Sequence, residues 1–355
     1  MAKRNPSFKA FSHQPLRSAP TKQREKGKKY GSMPIDFSRF DRTWRPFLEG
    51  KDLPFGLQNV KITSAEIPEA GNTDLQKINF WKDFSSHFKI QGWFDILFDY
   101  SFDEPHTASD YASIIHREQI IHQADPNLPT LVTTDIQEAK KYQAKDAIDI
   151  WVPIINFVHG KPYHLCYSNK YNKNLRKSYN PILRQGKKLW WYQSCMSHGC
   201  TGTPANDRCE SDYPSYMIDH PAVMNRIMPW MTFFYDIYGE LYFSTIYAYT
   251  EDDPWKYQYY FGGNGDGTLF YPGKPDKIGG DSHIPIASIR LKMIREGMED
   301  YEYLRILEKN GFRRLALSKI KKIIKNAYSY SHNAQKLHRI RRRLAKIIIR
   351  KKLIQ

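Results

Sequence analysis

The sequence predicts an α/β fold, six strand-like units close to but short of the eight of a (β/α)8 TIM-type barrel, with a basic helical extension at its C-terminus. Three observations point there. Short strand-like runs alternate with longer helix-forming segments, the pattern of successive β-α units. Several runs are apolar on both faces, as in a parallel sheet whose crossover helices cover both sides. Polar residues gather just past the ends of the runs, at Asp103 and Glu104, Asp135, Asn156, Ser194 and His198, where barrel enzymes keep their chemistry.

In chain order, residues 1–32 hold nine Lys or Arg and one Glu without hydrophobic periodicity, and are expected to be a disordered basic tail. A single barrel domain is expected over 33–312. Its strands are LQNVKIT (57–63), WFDILFDYSF (93–102), TLVTTDI (130–136), IDIWVPIINF (148–157), KLWWYQSC (188–195) and GELYFSTIYAY (239–249). Between them TASDYASIIHREQIIHQA and HPAVMNRIMPWMTFFYDIY supply helices, the first opened by Thr107 or Ser109 as N-cap. Residues 313–355 hold fifteen Lys or Arg and no acid, and Leu and Ile recur at helical spacing in LALSKIKKIIKNAY and LHRIRRRLAKIIIRKKLI. Basic amphipathic helices are expected there, either packed on the body or turned toward an anionic partner, a nucleic acid or a membrane surface.

At 355 residues and 41% hydrophobic composition the chain can bury one large core or two smaller ones. Of the net +17, the two tails hold +8 and +15, which leaves the body near −6. That sign argues against a nucleic-acid enzyme, which gathers positive charge around its site. No apolar run approaches the roughly 18 residues of a membrane-spanning helix and no signal peptide is visible, so the chain as written reads as soluble. Nothing in it matches a Ser-His-Asp arrangement, a phosphate-binding loop or a dinucleotide fingerprint, and no cofactor is expected.

The stretch FDYSFDEP ends an aromatic strand in two adjacent carboxylates. Neighbouring side chains on a strand point to opposite faces, so Asp103 and Glu104 can converge only where the strand gives way to a loop. Pro105 marks that change. Two close carboxyls push their pKa values apart and leave one able to hold a proton near neutrality, which a glycosidic acid needs. An adjacent pair suits substrate assistance, in which the sugar's own 2-acetamido group is the nucleophile. The other reading of Asp-Glu-Pro is an ordinary turn or helix cap.

The runs KLWWYQSC, YPSYMIDHPAVMNRIMPWMTFFYDIYGELYFSTIYAY, GNGDGTLFYPG and IPIASIRLKMIREGMEDYEYLRIL together resemble the domain-of-unknown-function 4091 family, which is similar to glycoside hydrolase family 123, the β-N-acetylgalactosaminidases. The resemblance extends from about residue 34 to about residue 310. It implies a barrel acting on a terminal N-acetylhexosamine of a glycan, with Asp103 stabilising the acetamido group and Glu104 as general acid/base. It also suggests export. Members usually carry a β-sandwich and further strands before this region; the sequence therefore leads us to expect an open or partial barrel, its edge covered by the C-terminal helices or a second copy. A catalytically inactive glycan-binding barrel is the alternative.

Aromatic rings stack on the apolar faces of sugars, and Trp151, Trp190, Trp191, Tyr192, Trp230 and Trp255 lie near the expected strand ends, about half of them as core. Of these Trp151, Trp191, Tyr192 and Trp255 are taken as candidate sugar contacts, Tyr192 and Trp255 foremost. In FGGNGDGTLFYPG, Asn264 and Asp266 are available to sugar hydroxyls, or to Asx turns that hold the loop. His198 is a candidate substrate contact or a structural histidine. Cys195, Cys200 and Cys209 match zinc knuckles poorly, so no metal is expected, and a disulfide among them or free thiols are the remaining readings; Cys166 stands apart.

Overall fold

The computed structural model describes residues 9–12, 35–53, 59–162, 171–197 and 210–353. Two compact units divide at Val152 and Pro153, inside the segment expected to be one domain. No helix of the described residues is long and apolar enough to cross a membrane.

In the N-terminal unit, Lys9–Ser12 form a strand, β1, inside the tail expected to be irregular. Helix α1 (Ser38–Glu49) stops where Gly50 takes φ 69° and its N–H returns to the Pro46 carbonyl. Strand β2 (Ala65–Glu66) starts later than the expected 57–63, because Ile62 is drawn by its N–H to Phe47 of α1. Helix α2 (Asp74–Ile90) is capped by Thr73, and the 3₁₀ turn Phe94–Ile96 shortens the next strand, β3, to Leu97–Phe102. Thr107 does open α3 (Ala108–Ala124), in a reciprocal capping box with Asp110. Strand β4 (Thr130–Val132) gives way to α4 (Ile136–Lys141), and β5 is only Ile150–Trp151 because Pro153 ends the ladder. Strands β2, β3, β4 and β5 pair in that order, all parallel, with Ala65 opposite Leu97, Asp99 opposite Thr130 and Leu131 opposite Ile150. The two-sided apolar runs thus mark buried parallel strands, as expected. Phe40, Trp81, Phe84 and Phe88 fill the core with no exposed surface.

In the C-terminal unit, α5 (Ile155–Val158) and α6 (Asn180–Arg184) precede β6 (Lys188–Tyr192), and α7 (Ala222–Phe234) leads to β7 (Gly239–Tyr242). Strands β6 and β7 are parallel, Trp191 opposite Glu240, and Ile154 bridges Tyr192 in the same sense. After α8 (Ala248–Glu251) come two antiparallel pairs, β8 (Tyr259–Tyr260) with β9 (Gly263–Asn264), and β10 (Phe270–Gly273) with β11 (Ile284–Ala287), the latter enclosing α9 (Pro275–Ile278). Helix α10 (Ile289–Lys309) packs on α7. A Cβ at Gly297 would stand 2.4 Å from the Arg226 carbonyl, so glycine sets the closeness of that crossing.

The extension is only partly the pair of helices expected. Helix α11 (Arg313–Ile320) ends early, β12 (Ile324–Asn326) and β13 (Ser329–Tyr330) form a hairpin, and α12 (Ala334–Arg350) follows. Helix α12 buries Leu337, Ile340, Leu344 and Ile348, one stripe at helical spacing. Its Arg341 reaches Glu296, Glu299 and Asp300 of α10.

Candidate active site

Asp103 and Glu104 lie just past the C-terminal end of β3, both exposed. Up to Tyr100 the pairing with β4 is regular. Asp99, with no exposed surface, accepts from Ser101 at 2.6 Å and from Nε and Nη2 of Arg117 on α3 at 2.9 and 2.6 Å. The ladder then slips, Tyr100 opposing Leu131 but Phe102 opposing Val132, so Ser101 is an extra residue on β3. A bulge of this kind re-aims the side chains beyond it. Asp103 turns to the side of Tyr100, whose hydroxyl donates to Asp103 Oδ1 at 2.6 Å. Thr133, past β4, donates to the same oxygen at 2.9 Å and accepts the Glu104 N–H at 2.6 Å. One hydroxyl therefore fixes both members of the pair.

Glu104 has φ 46°, the left-handed region that non-glycine residues seldom occupy, so the backbone turns sharply at the second member of the pair. Burial, then the Asp103 carboxylate, raises the Tyr100 phenol far above its usual value, so it serves Asp103 only as a donor. The result is one carboxylate oriented by two hydroxyls, followed in the chain by a second acidic residue whose backbone one of those hydroxyls also holds.

The C-terminal unit holds a second carboxyl cluster, of which the sequence pointed to Asp266 but not to Glu240. Glu240 on β7 accepts from the Tyr216 hydroxyl, and burial pushes its carboxyl up to about 8 against that bond. Tyr216 packs edge-on to Tyr242 at 5.1 Å, and the Tyr242 hydroxyl bonds Asp266 at 3.2 Å while accepting the Gly267 N–H at 2.8 Å. Burial likewise raises Asp266 to about 6. Arg290, in the first turn of α10, binds the carbonyls of Tyr216, Gly265 and Thr268 and so staples the glycine loop from beneath. A Cβ at Gly265, φ 82°, would come within 2.7 Å of that guanidinium.

The remaining expected contacts divide. The expectation that Trp151 and Trp191 offer stacking faces is corrected: both are fully enclosed, their indole N–H groups donating to Ile148 O and Thr232 Oγ1. Trp190 and Trp230 are core as well. Asp266 is 2% exposed and its Oδ1 accepts the Gly267 N–H and the Tyr242 hydroxyl, which favours a loop-holding role over sugar binding, though by a bond to the next residue rather than an Asx turn. Asn264 is half-buried, its amide 3.4 Å from Asp219. Tyr192 is half-buried at the end of β6, and Trp255 is 42% exposed, tied by its indole N–H to Pro272 O and set 5.0 Å from Tyr271. Asp135 caps α4 through the Gln137 and Glu138 N–H groups. Cys195 is held in a disulfide, so the free-thiol reading falls for it. His198, Cys166, Cys200 and Cys209 lie outside the described residues.

Parallel strands with covering helices define an α/β protein, and two adjacent acidic residues stand just past the end of one strand. Residues 58–307 match the description Glycoside hydrolase 123, catalytic domain, and the chain belongs to that family. Among solved structures it is similar to a family 123 glycoside hydrolase from Clostridium perfringens, studied for glycolipid glycan hydrolysis, at 20% identity and a TM-score of 0.48, over 79% of this chain and 46% of that one. The chain thus spans about half the length of that protein. It is also similar to β-glucuronidase 3 of Bacteroides uniformis (14% identity, TM-score 0.24, 58% of this chain and 29% of that one) and the β-glucuronidase of Parabacteroides merdae (13%, 0.24, 59% and 29%). No curated protein matches.

Proposed function

We propose that the chain hydrolyses terminal N-acetylhexosaminides, N-acetyl-β-galactosaminides foremost, by a substrate-assisted retaining mechanism, with the 33–312 region as the hydrolase and 313–355 as an extension of its scaffold. One observation supports the reading above the others: the Thr133 hydroxyl joins the Asp103 carboxylate to the backbone of Glu104, just past the end of a parallel strand. Family membership supports the reaction class.

In this reading Asp103, already oriented by Tyr100 and Thr133, accepts the acetamido N–H and stabilises the positive charge that grows as the acetamido oxygen attacks the anomeric carbon. Glu104 gives its proton to the leaving oxygen. Water then opens the oxazolinium intermediate with Glu104 as base, and the configuration at the anomeric carbon is kept. Trp255 and Tyr192 remain candidate aromatic contacts for sugar rings, and Asn264 a polar one. The disulfide at Cys195 suits an oxidising compartment, in line with export.

The test is hydrolysis of an aryl N-acetyl-β-galactosaminide beside the matching galactoside. Turnover confined to the acetamido substrate supports the proposal. Equal turnover of the two, or turnover of neither, refutes it.

A further inference from the structure

Two buried amides in the C-terminal unit are not accounted for by the fold. Gln193, the residue after β6, is 2% exposed, and neither its Oε1 nor its Nε2 has a hydrogen-bond partner. Asn156, also 2% exposed, donates from Nδ2 to the Met196 carbonyl at 2.7 Å, but its Oδ1 has no partner. The two segments run side by side, since Ile154 bridges Tyr192 in parallel and the Tyr192 N–H reaches Pro153 O at 3.3 Å. Gln193 and Asn156 come one and two residues beyond that bridge, and the Met196 carbonyl that holds Asn156 belongs to the turn directly following Gln193.

Buried amides that serve only the fold are satisfied by it, and each group left unmade costs about 1–3 kcal/mol. Here three polar atoms are left unpartnered on adjoining segments just past the C-terminal end of β6, the end where such folds bind substrate. We infer that Gln193 and Asn156 form, within the C-terminal unit, a binding subsite for an uncharged sugar, with Gln193 Nε2 donating to one hydroxyl while Gln193 Oε1 and Asn156 Oδ1 each accept from a different neighbouring hydroxyl. A sugar hydroxyl gives one hydrogen bond and takes others, which fits one donor set beside two acceptors. Two carbonyl oxygens would repel a carboxylate or phosphate. The assignment to a glycan rests on the proposed function; the unmet hydrogen-bonding need of the two buried amides does not.

Gln193→Met removes the amide and keeps an unbranched side chain of similar length. Calorimetric titration of the full chain with N-acetylgalactosamine, together with thermal unfolding, tests the subsite. The expected result is binding weakened about 5- to 100-fold, the loss found when a site built to hydrogen-bond hydroxyls is deprived of its partner, with a melting temperature equal to or above that of the wild type. Gln193→Leu repeats the measurement should Met pack poorly. Unchanged affinity with a lowered melting temperature overturns the subsite and makes Gln193 structural, and so does a wild-type protein that binds no N-acetylgalactosamine. Loss of binding in Gln193→Met from a protein that hydrolyses nothing keeps the subsite and refutes only the hydrolase reading. Turnover with unaltered binding in the variant does the reverse.

Discussion

At the scale of the residue, Thr133 is as informative as the carboxyls it serves, because a single hydroxyl donates to Asp103 and accepts from the Glu104 backbone. Glu104→Gln keeps the side chain's shape but cannot give up a proton, and should lower turnover about 10² to 10⁴-fold on a poor leaving group with binding retained. Full activity in that variant would show that another group is the acid. Thr133→Val removes a hydrogen bond to a charged group, worth about 1.5–3 kcal/mol, so turnover should fall about 10- to 100-fold with Glu104 intact. Steady-state kinetics decides it, and an unchanged kcat would mean the pair needs no such anchor. The pair itself was legible in the sequence, since Pro105 ends an aromatic run directly after two carboxyls. The anchor was not, because it lies 30 residues away and a threonine in TLVTTDI looks like any strand threonine.

At the scale of the element, β3 carries different chemistry before and after its bulge. Before it, Asp99 is paired with Arg117 of α3, which also meets Glu69 and lies over the Trp81 ring at 4.9 Å. Replacing Arg117 by Met leaves a carboxylate without exposed surface and without its cation, so a loss of roughly 3–5 kcal/mol is expected in denaturant unfolding. A loss under about 1 kcal/mol would show that the pair is dispensable. The buried parallel strands and a cap at Thr107 or Ser109 could be read ahead, because strand patterning and capping are local. The buried Trp151 and Trp191 could not, for a parallel strand is covered on both faces and its end aromatics give no sign of which side is closed. The last helix is similar: its apolar stripe was visible, whereas the acids of α10 that neutralise Arg341 were far off in sequence.

For the whole molecule, buried ionisable groups set the pH dependence of stability. Burial raises Glu240 from its ordinary 4.5 to about 8 and Asp266 from 3.8 to about 6, so the folded state holds protons that the unfolded chain has released. Their stabilisation is full below the unfolded values and is lost as pH rises, through about 6 for Asp266 and about 8 for Glu240. Burial lowers His159 from 6.5 to about 4, which works in the other direction: its stabilisation is present above 6.5 and is lost as pH falls toward 4. Stability should therefore decline between pH 6 and 8, and Glu240→Gln, which keeps the bond to Tyr216, should flatten that decline. A steep decline persisting in the variant would contradict the assignment. The central claim, that Asp103 stabilises a charge growing on the substrate's own acetamido group, is tested most directly by the affinity of a thiazoline analogue of the cyclised sugar. The account predicts that wild-type protein binds the thiazoline at least 100-fold more tightly than N-acetylgalactosamine, as expected of a transition-state mimic, and that Asp103→Asn removes most of that difference. Thiazoline bound no more tightly than the free sugar, or equally well by Asp103→Asn, would contradict it.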